Sequence, residues 1–271
     1  MGPEFAEKLI LAVFSAMLGL FVGTFLGEPL KQWWGRWLDT QGKIADLLRP
    51  RFKFSVIQLQ DPEAPPFTFS QRLKVQNARQ TLFAFEFEEL LRAPTPAEIA
   101  DLKRTDSKRD FVEKVGRFLA DARGERWTGL SDSPANKRFK GCRDLVITNL
   151  PLPGNYYGWN SKDRTLLVIS TAPAQYVLSP AGRLTVEDFV ARITQRMAVF
   201  AVTPRLDPRR EHASKSLGCL FDFTLFLSRV VEILESCNIC ADCCRSIAQD
   251  RGNEFALRVR NWVEDQPLTD H

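Results

Sequence analysis

The residue types most able to do chemistry gather between His212 and Cys243. His212 is followed by Cys219, and after a largely apolar run comes the pair Cys240 and Cys243, spaced Cys-x-x-Cys. One imidazole and three thiols in two short groups are the donors of a closed tetrahedral zinc site, which leaves no position open for water. Cys237 and Cys244 flank the pair, so Cys237-x-x-Cys240 is an alternative register and Cys244 an alternative ligand. A redox Cys-x-x-Cys would open a helix after a strand in a thioredoxin-like unit, and that context is missing. Disulfides are also disfavoured. Of the six cysteines, Cys237, Cys240, Cys243 and Cys244 crowd into eight residues, and two of these are adjacent. That pattern fits metal ligation in a reducing compartment better than a disulfide framework.

The rest of the chain must supply the elements that bring these donors together. Its 271 residues, 44% hydrophobic and 26% charged, are enough for one sizeable core or two small ones. A formal charge of +4 is modest and does not call for nucleic acid. Residues 1–5, Met-Gly-Pro-Glu-Phe, read as a cloning remnant.

Leu9 to Leu26 runs eighteen residues without a charge, long enough for a transmembrane helix across a hydrocarbon core of about 30 Å. The span is placed at residues 6–30, with a juxtamembrane amphipathic segment at 31–50 and a cytoplasmic domain at 51–271. Lys31, Arg36, Lys43, Arg49, Arg51 and Lys53 follow the span and Lys8 alone precedes it. The positive-inside rule therefore puts the large C-terminal part in the cytoplasm, with the anchor in the inner membrane. Trp33, Trp34 and Trp37 suit the membrane–water interface. Ser15, Gly19, Gly23 and Gly27 recur every four residues, a stripe that lets helix backbones approach closely and predicts a homo-oligomer through the span.

From Arg51 the pattern turns globular. Phe52, Phe54, Val56, Ile57 and Leu59 predict a strand, as does the stretch from Thr81 to Leu91. Ala97 to Arg123 reads as helix with an apolar stripe, and the charge run Asp101–Asp110 is either a solvated face or a break between two helices. Asp144–Asn149 and Thr165–Thr171 are strands joined by an excursion rich in Pro, Gly and Asn. The aromatics of that excursion, Tyr156, Tyr157 and Trp159, read as a loop's own small core before they read as a binding surface. Thr185 and Asp188 form a capping box for a helix that turns Val186, Phe189, Val190, Ile193, Met197 and Phe200 inward and stops before Pro204. The acid pairs Glu88–Glu89 and Glu187–Asp188 read as solvated faces.

With these elements in order, the C-terminal part resembles the archaemetzincin family of zinc peptidases. The carriers are Cys219-Leu-Phe-Asp-Phe223, then eighteen residues after Phe221, then Cys240-x-x-Cys243 and Arg245. Upstream, Leu145–Pro153, Tyr157-Gly158-Trp159 and Leu167–Thr171 are similar to that family's strand, long loop and strand, and the likeness spans Cys142 to Ile247. The resemblance implies an α+β, metzincin-like mixed sheet with helices and a C-terminal structural zinc site. The family's first Cys has no counterpart, and His212 stands as its substitute; the spacing to Cys240 is about one residue longer.

The helix from Val186 falls where the family carries His-Glu-x-x-His, two zinc-binding His one turn apart and a Glu that activates water. Here Ala191 to Val202 holds neither His nor Glu, and the chain's two His are His212 and His271. The expectation is a catalytically inactive, membrane-anchored sensor, effector or partner-binding protein, with bacterial stress or phage defence as its setting by analogy. The competing expectation is a hydrolase with a non-standard site near Asp163, Glu187 or Asp188.

Overall fold

The computed structural model describes residues 51–64, 66–125, 142–154, 156–178, 184–206, 218–222 and 227–265. The expected membrane span, its stripe at Ser15, Gly19, Gly23 and Gly27, the tryptophans at 33, 34 and 37, and His212 lie outside these residues. Among the described residues no helix is long and apolar enough to cross a membrane.

Five strands form one mixed sheet: β1 (Phe52–Leu59), β2 (Phe83–Phe87), β3 (Cys142–Thr148), β4 (Gly158–Asn160) and β5 (Leu166–Ser170), in the order β2-β1-β3-β5-β4. β1 runs parallel to β2 and β3, β3 runs parallel to β5, and the short β4 pairs antiparallel with β5. Around the sheet lie α1 (Ser70–Arg79), α2 (Pro96–Lys103), α3 (Lys108–Ala122), α4 (Ala174–Val177), α5 (Val186–Val202), α6 (Leu227–Ser236), α7 (Ala241–Arg251) and α8 (Asn253–Glu264).

The central strands are apolar on both sides because helices cover both. Phe54, Val56, Leu145, Ile147, Leu167 and Ile169 pack with residues of α1, α5, α6, α7 and α8. Ile57, Leu59, Val146, Leu166 and Val168 face the other way, against Ile99 and Leu102 of α2 and Phe111, Val112, Val115 and Leu119 of α3. The period-2 geometry of a strand makes this division, since successive side chains point to opposite faces.

The charge run at 101–110 contains a break between α2 and α3, each with its own cap. Thr95 and Glu98 build a capping box, and the Ser107 hydroxyl accepts from Asp110 N at the start of α3. Thr185 and Asp188 build the expected box at α5. The acid-pair reading is corrected at two positions. Asp188 is buried and also pairs with Arg72 at 2.8 Å. Glu88 accepts from Arg123 and Ser55. Val186 was expected inward and is 37% exposed, because at N1 it sits at the rim of the layer.

The excursion aromatics pack back, half-buried. Tyr156 and Trp159 join the α2–α3 core edge-to-face at 5.7 Å, and Tyr157 packs on the α5 side against Phe189. The Lys108 ammonium sits over the Tyr156 and Trp159 rings.

Edge strand β2 is capped by its own crossover helix. The Asn77 side chain donates to Phe85 O and accepts from Phe85 N, at 2.8 and 2.9 Å. The Gln80 amide does the same for Phe83 at 2.5 and 2.7 Å. Backbone groups that would otherwise template another strand are thereby satisfied.

Candidate metal centre

The sulfur-bearing segments are brought together by one short bridge. Gly218, at φ +67, turns the chain into Cys219, and Cys219 pairs in parallel with Asn238, with Leu220 N donating to Asn238 O at 2.7 Å. Helix α6 stops at Cys237, whose φ of +48 is left-handed and breaks the helical hydrogen-bond pattern. Three residues later Cys240 takes the N-cap of α7, its sulfur accepting from Cys243 N at 3.5 Å. Cys243 lies in the first turn beneath it, fully buried.

The result is three thiols, Cys219, Cys240 and Cys243, with their sulfurs all within 4.8 Å of one another. Cys219 and Cys243 are buried and Cys240 is half-buried. The Cys219 sulfur accepts from Phe221 N at 3.5 Å and from Cys240 N at 3.3 Å. Cys219 N donates to Asp222 Oδ2 at 3.0 Å, and Asp222 N to Cys219 O at 2.8 Å, closing the 219–222 turn on itself. Of the two registers open in the sequence, the structure brings together Cys240 and Cys243. Cys237 is directed away, its thiol donating to Leu234 O at 3.1 Å, and the Cys244 thiol is directed to Ile239 O at 3.8 Å.

Electrostatics set the sulfurs against one another. The Cys243 thiol is held far above its ordinary range, first by its hydrogen bond with Cys219, then by burial and by the charge each neighbouring sulfur would carry. Burial leads the upward push on Cys240, with Cys219 adding to it. Three thiolates cannot share this space without a cation, whereas the N–H groups aimed at two of the sulfurs favour thiolates. A soft divalent ion resolves the conflict. In a regular site with bonds of about 2.3 Å the sulfurs lie about 3.8 Å apart, within reach of this cluster by a small closure. The residues present therefore fit a metal: Cys219, Cys240 and Cys243 would hold it, and the fourth expected ligand, His212, lies outside the described residues.

Sequence reasoning missed the α5 side chains that grip the C-terminal segments, Arg196 at the centre itself and Arg192 and Gln195 at the end of α8. Arg196 of α5 donates from Nη1 to Leu220 O at 2.9 Å and to Asp222 O at 2.8 Å. Arg192, one turn earlier and buried, donates to Val263 O at 2.9 Å, and Gln195 Nε2 donates to Trp262 O at 3.3 Å. These carbonyls belong to the last turn of α8, which has no partner within its own helix. The available signal was a pair of arginines four apart in a helix whose other residues from Phe189 to Val202 are apolar apart from Thr194 and Gln195. The C-terminal end of α5 is itself covered by arginines: Arg164 donates to Phe200 O and Thr203 O, and Arg251 to Val202 O.

The acids named for a non-standard hydrolase have other engagements. Asp163 accepts from Ser161 and Thr165 within its own turn, Glu187 accepts from Thr68 at 2.9 Å, and Asp188 serves the α5 cap.

The described part of the chain is thus an α+β domain with a three-thiol cluster suited to a metal. No protein-family model matches the sequence, and no curated protein matches it. Among solved structures it is similar to archaemetzincin from Methanopyrus kandleri, at 15% identity and a TM-score of 0.43, covering 74% of this chain and 95% of that one.

Proposed function

We propose that the protein is a membrane-anchored, catalytically inactive relative of the archaemetzincin type. Its cytoplasmic domain is closed by a structural zinc on His212, Cys219, Cys240 and Cys243, and it senses or binds a partner. Self-association through the stripe of Ser15, Gly19, Gly23 and Gly27 turns that recognition into an effect at the inner membrane, in bacterial stress or phage defence.

The observation that carries the reading is the occupancy of α5. Where the resembled family would place metal-binding and water-activating groups, this helix offers Arg192, Gln195 and Arg196, all spent on backbone carbonyls. A guanidinium has no lone pair to offer a metal, and each of these side chains is consumed in fixing the C-terminal segments. The sulfur cluster supports the closed site: a metal with four protein ligands holds chain segments together and activates no water.

The test uses the full chain in detergent. One zinc per chain, no peptide hydrolysis above background and a defined oligomer that dissociates when residues 6–30 are deleted are the expected results. Hydrolysis that a chelator abolishes while the protein stays folded overturns the inactive reading. A monomer in detergent overturns the assembly part.

A further inference from the structure

The contacts of Arg196 set it apart from the other buried arginine on its helix. It is 9% exposed, and one of its nitrogens bonds two carbonyls of the same four-residue turn. That turn begins with Cys219, whose sulfur accepts two backbone N–H bonds and lies against Cys240 and Cys243. On its other side the guanidinium faces the Tyr157 ring, 5.7 Å from the centroid. A turn gripped at both Leu220 O and Asp222 O cannot tilt about its own axis, so the direction of the Cys219 sulfur is set from α5. Charge works the same way: three thiolates around a divalent ion leave one negative charge, and a buried fixed cation on the turn offsets it.

We propose that Arg196 is the positioning residue of the metal centre, orienting the Cys219 sulfur through the Leu220 and Asp222 carbonyls and balancing the charge of the bound cluster; this rests on the metal reading above. Arg192 supplies the comparison. It is more deeply buried, at 2% exposure, and also bonds a carbonyl, Val263 O, but in a helix end that carries none of the three sulfurs. Both arginines therefore contribute to folding, and only one contributes to metal affinity.

The experiment measures zinc affinity by competition with a chromophoric chelator, the visible spectrum of the cobalt(II)-substituted protein, and the thermal midpoint. Wild type, Arg196→Met, Arg196→Lys and Arg192→Met are compared as full chains in detergent. Arg196→Met is expected to weaken zinc binding tenfold to a hundredfold and to alter the cobalt–thiolate bands, while Arg192→Met lowers the midpoint with affinity and spectrum unchanged. Arg196→Lys keeps the charge but not the forked donor and falls between, and it decides the matter if the Met variant does not fold. Equal zinc affinity in wild type and either Arg196 variant overturns the proposal, as does an equal loss in Arg192→Met. A wild-type chain that binds no zinc ends the metal reading itself, a result distinct from both.

Discussion

Opposite faces of one sheet bury two polar centres, one satisfied by the chain's own charges and one whose three thiols are suited to a metal. On the α2–α3 side, Arg123 donates to Glu88 Oε1 at 2.8 Å and to both oxygens of Asp144 at 2.8 and 3.2 Å, while Ser55 donates to Glu88. Every charge there meets an opposite charge supplied by the chain. On the other side, Cys219, Cys240 and Cys243 face one another, and each ionised sulfur would raise the cost of ionising the next. The first arrangement needs nothing from solution and reads as structure. The second is neutral while its thiols keep their protons, and it is the spacing of three sulfurs, with N–H groups aimed at two of them, that suits a metal.

The contrast can be broken in order of expected size. Replacing Cys243 with Ser removes a buried ligand and is expected to abolish zinc binding and cost on the order of 5 kcal/mol or more, with loss of hydrogen-exchange protection in α6, α7 and α8. Chelation of the wild type should reproduce that loss, and a chelator without effect on the melting curve would remove the difference between the two centres. Next, Arg123→Met strands two carboxylates and is expected to cost about 3–5 kcal/mol, whether or not metal is present. Combining it with Glu88→Gln and Asp144→Asn should recover part of that loss, and a triple variant less stable than the single one would contradict the account. Thr185→Ala, which removes the α5 cap, is expected to cost about 1 kcal/mol with no change in zinc content, read by denaturant titration.

The smallest effect is in pH. Glu98 is held down to about 2 from 4.5, first by its hydrogen bond with Arg92. A depressed carboxyl stabilises the fold above its unfolded value, and that contribution disappears as pH falls from 4.5 toward 2. Because both side chains are about one-third exposed, with relative accessibilities of 34% and 35%, solvent screening keeps the effect below about 1 kcal/mol. Glu98→Gln should flatten the acid limb of the stability curve across that interval and leave neutral pH little changed.

How much of this was legible beforehand varies by element, for physical reasons. Strands β1, β3 and β5 announce themselves through their Phe, Val, Ile and Leu: Leu166–Ile169 is a continuous apolar run in β5, Leu145–Ile147 a shorter one in β3, and β1 alternates before Val56 and Ile57. The box at Thr185 and Asp188 is a local motif and needs no tertiary knowledge. Helix α1 left almost no trace: only Leu73 and Gln76 of its residues are buried, so Ser70–Arg79 carries little apolar periodicity. The Cys donors were recognisable by type and spacing, and the structure chose between registers through the left-handed Cys237, a conformation that spacing does not encode. Arg196 was invisible as part of the centre because it acts on backbone groups made neighbours only by the fold, 24 and 26 residues along the chain. The acid pairs misled because adjacency to other charges in sequence says nothing about Arg72 or Arg123 arriving from elsewhere.

The amide cap on β2 has a consequence for synthesis. Asn77 and Gln80 precede Phe83 and Phe85 in the chain, so the groups that shield the strand leave the ribosome before the strand does. A nascent chain made only as far as β2 already carries its own guard against pairing with another nascent copy, at the stage when neighbouring polypeptides are closest.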